Sequence, residues 1–276
     1  MVLKNQKHLI VWAFLLLTVL GIVYWPILVR MVAHWGLDDN YSHGFLVPFI
    51  AGYLAYMRRD ELMKAEVRPA NPGLALVGFG LAMVLLGWIA TELFTMRASF
   101  VVVIAGIVLY ILGWEIFKIL LVPLCYLLLM VPIPAVIYDS AAFPLKLFVT
   151  NISVMSMKAI GIVVWREGNI LMFPNITLEV ADACSGLRSI MSLLALGAAY
   201  AFVLHSKTRD RVILILSTLP IAVFTNCLRV IATGVLAQYF GSAAAEGFFH
   251  EFAGLFVFGA AVVMFVALGS SLKRWS

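Results

Sequence analysis

Three side chains of reactive type stand at the ends of long apolar runs. The first is Cys184, within Leu178–Ser189, which reads Leu-Glu-Val-Ala-Asp-Ala-Cys-Ser-Gly-Leu-Arg-Ser. A thiol attacks as the thiolate, and free N–H groups with the positive end of a helix lower the cost of that charge. Cys184 lies between a strand-like run and a long apolar helix, the junction that supplies both. Cys125 and Cys227 lie inside apolar runs and are predicted to be small buried hydrophobes. The second side chain is Arg229. Thr225, Asn226, Arg229 and Thr233 recur at three- or four-residue spacing, so they form one polar stripe on a helix. A charge inside a membrane span is costly and usually faces a cavity or the bundle interior. The third is His250, at the start of the last apolar run. Cysteine, histidine and arginine are the minimum set for acyl transfer through a thioester: nucleophile, proton carrier and oxyanion stabiliser. His43, in Tyr41-Ser42-His43-Gly44, is a further candidate, because Gly44 would admit a close backbone approach. His8, His34 and His205 lie in links or near run ends and need no special role.

The elements that must position these residues are membrane helices. The chain has 276 residues, is 64% hydrophobic and only 12% charged, with a mean hydropathy of +1.06. No soluble core hides that much apolar surface, so the composition belongs to the membrane class. The net charge of +5 does not point to nucleic acid, because the basic residues are scattered through the links between apolar runs. Three irregularly spaced cysteines make no disulfide framework, and no zinc-type spacing appears. No metal and no cofactor is expected.

A membrane helix needs about 20 apolar residues. Eight runs qualify: roughly 9–29, 41–57, 73–90, 99–114, 119–137, 186–204, 212–236 and 249–268. The first, behind Lys4 and Lys7, reads as an uncleaved span. Residues 139–182 differ. Ser140–Ile160 has helical periodicity broken by Pro144, Lys146, Asn151 and Lys158, which suits an interfacial or re-entrant helix. Gly161–Asp182 carries turn signals at Gly168-Asn169 and Pro174-Asn175 and alternation at Ile176, Leu178 and Val180, which predicts a β-hairpin outside the hydrocarbon layer. The expected fold is an all-α polytopic membrane protein, one integral domain over 1–276, with this extracytoplasmic insert before the sixth span. With eight spans both termini share a side. That side holds Lys4, Lys7, Arg58, Arg59, Lys64, Arg68, Lys118, Lys207, Arg209, Arg211, Lys273 and Arg274, the majority of the 19 basic residues, and is therefore cytoplasmic. Cys184, Arg229 and His250 then fall on the opposite face.

At these residues the chain resembles the exosortase/archaeosortase family of membrane transpeptidases. The resemblance rests on Ala183-Cys184-Ser185-Gly186-Leu187-Arg188, Asn226-Cys227-Leu228-Arg229 and His250, and extends to Tyr41–Gly44 and Arg166-Glu167-Gly168-Asn169. It implies a sortase analogue in the bacterial inner membrane, with Cys184 as nucleophile, Arg229 as oxyanion stabiliser and His250 as acid/base. Asn226, Arg188 and Asp182 match flanking motif positions with supporting roles, although the family pattern commonly has Glu where Asp182 stands. The implied partners are exported proteins with a C-terminal Pro-Glu-Pro-like motif, a transmembrane helix and a basic tail, together with membrane lipid and an amine or water as second nucleophile. The implied setting is surface-protein anchoring linked to exopolysaccharide. Two other readings compete: a polytopic transporter, supported by the Arg229 stripe, and a transferase of exopolysaccharide assembly that uses no thiol.

Overall fold

The computed structural model describes residues 2–180, 187–205, 207–241 and 248–275, with side chains described for 18–180, 190–205, 207–241 and 254–274. Contacts gather the chain into two compact units, 1–132 and 133–276.

The first unit is helical. It comprises α1 (Val2–Leu37), a 3₁₀ helix (Asp39–Phe45), α2 (Val47–Met57), α3 (Arg59–Lys64), α4 (Pro72–Ile89), α5 (Leu93–Leu112), α6 (Trp114–Leu127) and a 3₁₀ turn (Leu128–Met130). α4 and α5 form a tight hairpin. The glycines at 73, 80 and 87 recur every seven residues on α4 and are buried against α5, whose Gly106 faces back. Small residues let membrane helices approach to backbone contact, where dispersion replaces the missing hydrophobic drive. A Cβ on Gly106 would lie 2.7 Å from the Val77 nitrogen and 3.0 Å from the Gly73 oxygen. Glu92 caps α5 by accepting from the Phe94 N–H at 2.9 Å and the Thr95 N–H at 2.7 Å. α1 is tied to α5 by Tyr24, whose hydroxyl meets the Ser99 hydroxyl at 3.0 Å, while Ser99 donates to the Met96 carbonyl.

The second unit comprises α7 (Ala135–Ala159), strands β1 (Trp165–Glu167), β2 (Ile170–Met172) and β3 (Thr177–Glu179), then α8 (Leu187–Leu204), α9 (Thr208–Phe240) and α10 (Phe248–Trp275). The expected hairpin is a three-stranded antiparallel meander in the order β1-β2-β3, with Arg166 opposite Leu171 and Leu171 opposite Leu178. The predicted helix at 140–160 begins earlier, at Ala135, and runs unbroken through Pro144. Its buried face carries Lys146, Thr150 and Ser153, while Phe143, Phe148 and Met155 are exposed. Val149, Val154 and Met157 are buried beside them, so the packed face mixes polar and apolar residues.

Five described helical segments are long and apolar enough to cross a bilayer: Thr18–Leu37, Pro72–Ile89, Leu93–Leu112, Thr208–Phe240 and Gly254–Arg274. The broken pair Trp114–Met130 and Ala135–Ala159 makes a sixth if counted as one span. The chain is thus a multi-pass, predominantly α-helical membrane protein. Run 41–57 is not one α-helix: its first part is the 3₁₀ helix, and α2 has 11 residues. At 1.5 Å per residue α2 rises about 16 Å, against a hydrocarbon core of about 30 Å. Cys125, expected to be buried, lies on an exposed face of α6. A membrane helix has apolar neighbours on its lipid side too, so an apolar residue gains little by turning inward there.

Candidate active site

α9 is the hub of the second unit. One face of it contributes Cys227 and Val230 to a cluster with Val149 and Met157 of α7 and Leu171 and Phe173 from the sheet region. Its other face contributes Leu214, Ile221 and Ala222 to a cluster with Leu193 and Ala201 of α8 and Ala261 and Phe265 of α10. The polar stripe therefore sits on the helix that touches every other layer.

The register of α8, α9 and α10 follows from their contacts. A Cβ on Gly197 of α8 would meet Thr218 Cγ2 at 2.8 Å and Phe265 Cζ at 2.9 Å, so residues 197, 218 and 265 share one level. Tyr200 and Phe265 stack edge-on at 5.5 Å, and Gly269 faces Tyr200, so α8 and α10 run in the same direction. α9 runs against both. Ten residues away from that level, roughly 15 Å along the axes, lie Leu187 at the start of α8, Leu228 on α9 and Leu255 on α10. The observed contact agrees within one residue: a Cβ on Gly254 would lie 3.5 Å from Nη2 and 3.7 Å from Cζ of Arg229. The first turn of α8, Arg229 and Gly254 thus occupy one layer. Position 250 is one helical turn before Gly254, on the same face of α10.

The stripe on α9 divides by role. Thr225 is 1% exposed, and its hydroxyl donates to the Ile221 and Ala222 carbonyls of its own helix at 2.9 and 3.2 Å. It makes a buried helix contact and presents no free hydroxyl to a substrate. Asn226 is 2% exposed, whereas Arg229 and Thr233 are half-buried. The Cys227 carbonyl accepts from the Ser153 hydroxyl of α7 at 3.4 Å, and the thiol is buried as expected. The half-buried Arg229 turns its guanidinium, through Nη2, Cζ and Nη1, toward Gly254 of α10.

The sheet holds the chain leading toward Cys184. Arg166 donates from Nη1 to the Leu147 carbonyl of α7 at 3.3 Å. Gly168 has a φ of +60°, which places the turn between β1 and β2 in glycine's territory. Asn169 grips Val180 twice: its carbonyl accepts from the Val180 N–H at 2.9 Å, and its Nδ2 donates to the Val180 carbonyl at 3.2 Å. The same amide donates to Glu179 Oε1 at 3.1 Å. Val180 is the last described residue before the cysteine-bearing link.

Cys184 and Asp182 lie outside the described residues, as do the side chains of Arg188 on α8 and His250 on α10. His43 belongs to the first unit. Its Nε2 bonds the Leu129 carbonyl at 3.2 Å, and Trp35 Nε1 donates to the Met130 carbonyl at 2.9 Å. Both rings thereby hold the 3₁₀ turn 128–130. Gly44 is needed for the Trp35 indole, which would stand 2.5 Å from an added Cβ, and not for a backbone approach.

Three features escaped the reading of the sequence. Gly254 stands opposite the Arg229 guanidinium, and its sequence signal is its four-residue distance from His250. The sequence marks Asn169 as a turn residue within the Arg166–Asn169 motif, without its bonds to Val180. In the sequence Lys146 breaks the apolar periodicity of 140–160, yet it is 8% exposed on the buried face of α7.

The chain matches the family model described as transmembrane exosortase over residues 35–267. No curated protein and no solved structure matches it. With most of its length covered by that model, the protein belongs to the transmembrane exosortase family.

Proposed function

We propose that the protein is a cysteine transpeptidase that cleaves the C-terminal sorting signal of exported proteins at the extracytoplasmic face of the bacterial inner membrane. In this reading the chain crosses the membrane eight times with both termini cytoplasmic. The observation that carries the proposal is the shared layer of Arg229, Gly254 and the first turn of α8, which lies three residues after Cys184 and one turn from position 250.

The substrate's own helix docks laterally and presents its Pro-Glu-Pro-like motif at the membrane surface. The Cys184 thiolate attacks the scissile carbonyl carbon, and the C=O electron pair moves onto oxygen beside the Arg229 guanidinium. A cationic donor aimed at that developing charge stabilises the transition state more than the ground state. The tetrahedral intermediate collapses with cleavage of the C–N bond. His250 gives its proton to the leaving amine, and a thioester remains on Cys184. An amine or water then attacks the thioester, His250 takes the nucleophile's proton, and the thiolate departs. Asn226 and Arg188 support Arg229 and the first turn of α8, and Asp182 lies beside the nucleophile in the chain.

Co-expression of Cys184→Ala with a substrate carrying the tripartite tail tests this. Processing should stop, and the full-length substrate should accumulate in the membrane. Unchanged processing would reject the thioester mechanism in favour of a thiol-independent transferase.

A further inference from the structure

The first unit holds a basic cleft that the proposed chemistry does not use. It lies at the end of the bundle where α4 ends and α5 begins, beside the second half of α1. Its volume is about 150 Å³, and its walls include Ile27, Trp88, Leu93 and Met96, with the cations Arg30 and Arg97. Pockets that enclose a whole small molecule run from roughly 300 to 1,000 Å³. This one suits a head group whose remainder lies outside.

Arg97 is the unusual member. It is 6% exposed, lines the cleft, and makes no hydrogen bond or ion pair among the described residues. The ionisable groups whose fields reach it are Glu92, Tyr41 and His34. Glu92 is committed elsewhere, since both its oxygens accept N–H donors at the start of α5. A buried guanidinium with five unspent donors is expensive unless an acceptor meets it. Arg30 stands exposed at the rim, so the cleft offers two positive charges.

The surroundings identify the acceptor's source. Trp88 is 70% exposed and Trp25 69%, and Ile22, Leu85, Leu86 and Ile89 are exposed around them. Exposed tryptophans beside apolar helix faces mark the level of lipid head groups. The anion abundant at that level is the phosphodiester of phospholipids, whose planar oxygen pairs match the guanidinium fork.

We propose that Arg97 and Arg30 bind the phosphate of an anionic phospholipid, with its glycerol and upper acyl chain against Trp88, Leu93 and Met96. The bound lipid neutralises Arg97 and seals the α1–α4–α5 end of the unit.

The test uses the full-length protein in nanodiscs of dioleoylphosphatidylcholine with or without dioleoylphosphatidylglycerol. Native mass spectrometry reads retained lipid, and thermal unfolding reads stabilisation. Phosphatidylglycerol should be retained at one copy per chain and raise the unfolding temperature. Arg97→Gln should weaken retention roughly tenfold or more, as expected for loss of a charge-assisted hydrogen-bond pair. Arg97→Lys should keep part of it. Arg30→Gln, at the exposed rim, should weaken it several-fold without a folding defect, which keeps the test open if Arg97→Gln fails to fold. Phosphatidylglycerol retention unaltered in both glutamine variants overturns the proposal. Equal stabilisation by inorganic phosphate in detergent overturns the lipid source and leaves a free-anion site. Stabilisation by an acidic apolar peptide through Arg97, with no effect of phosphatidylglycerol, also overturns it in favour of a peptide carboxylate.

Discussion

The Arg229 guanidinium faces Gly254, with Nη2 3.5 Å from where a Cβ would stand. That spacing is ordinary van der Waals contact, so a methyl group fits there and a larger side chain does not. Gly254→Ala should therefore preserve both folding and processing. Gly254→Leu should displace the guanidinium and lower substrate processing at least tenfold, while the unfolding temperature falls only slightly. Rates and unfolding curves on the purified pair of variants separate these outcomes. Equal activity of the two variants would show that the contact does not position Arg229.

Arg229 itself should contribute in the transition state. Removing an oxyanion donor typically lowers kcat by about 10²–10³. Arg229→Ala should show a loss of that order, and Arg229→Lys a smaller one, since an ammonium keeps charge without the fork. Alkylation of Cys184 by an impermeant thiol reagent should proceed at the same rate in both. An altered alkylation rate would mean that Arg229 acts on the thiol and not on the oxyanion.

Asn169 holds Val180 by both its backbone groups, four residues before Cys184. Asn169→Ala removes the Nδ2 bonds and should cost about 1 kcal/mol of stability. Processing should fall more than this predicts, with the loss mainly in kcat. A loss confined to stability would assign Asn169 to the sheet alone.

Backbone contact at Gly106 cannot yield to a side chain as a flexible tip would. Gly106→Leu should cost about 1–3 kcal/mol through overpacking, whereas Gly78→Ala, which meets nothing within 4 Å, should be neutral. Thermal unfolding in detergent checks the pair.

The cap of α5 should make stability depend on pH. Burial pushes the Glu92 carboxyl up, but the hydroxyl and N–H of Thr95, the N–H of Phe94 and the Arg97 charge outweigh it and leave it below its usual 4.5. A carboxyl lowered on folding contributes stability that is complete above the unfolded value and fades as pH falls through the folded one. Glu92→Gln should flatten that loss below about pH 4.5 and cost about 1 kcal/mol at neutral pH, the usual magnitude for a helix cap. Unfolding temperatures of both proteins across pH 3–7 report it.

Much was legible in the sequence because hydropathy is a local property. Composition alone determined the membrane class, and the residue types at Cys184, Arg229 and His250 marked the chemistry to look for. The family assignment likewise rests on the linear sequence, over residues 35–267. Depth along one helix was also readable, since residues per turn and rise are constants. Facing was not. Cys125 and Cys227 both sit in apolar helices, yet one is exposed and the other buried, because lipid and protein interior are equally apolar and a helix gains no drive to choose between them. Thr225 and Arg229 share a stripe in the sequence, but only packing decided that Thr225 spends its hydroxyl on its own helix and Arg229 reaches Gly254. The level shared by α8, α9 and α10 depends on residues up to 69 positions apart, such as Tyr200 and Gly269. No local pattern encodes such a register, because it is set by which surfaces fit when the helices meet.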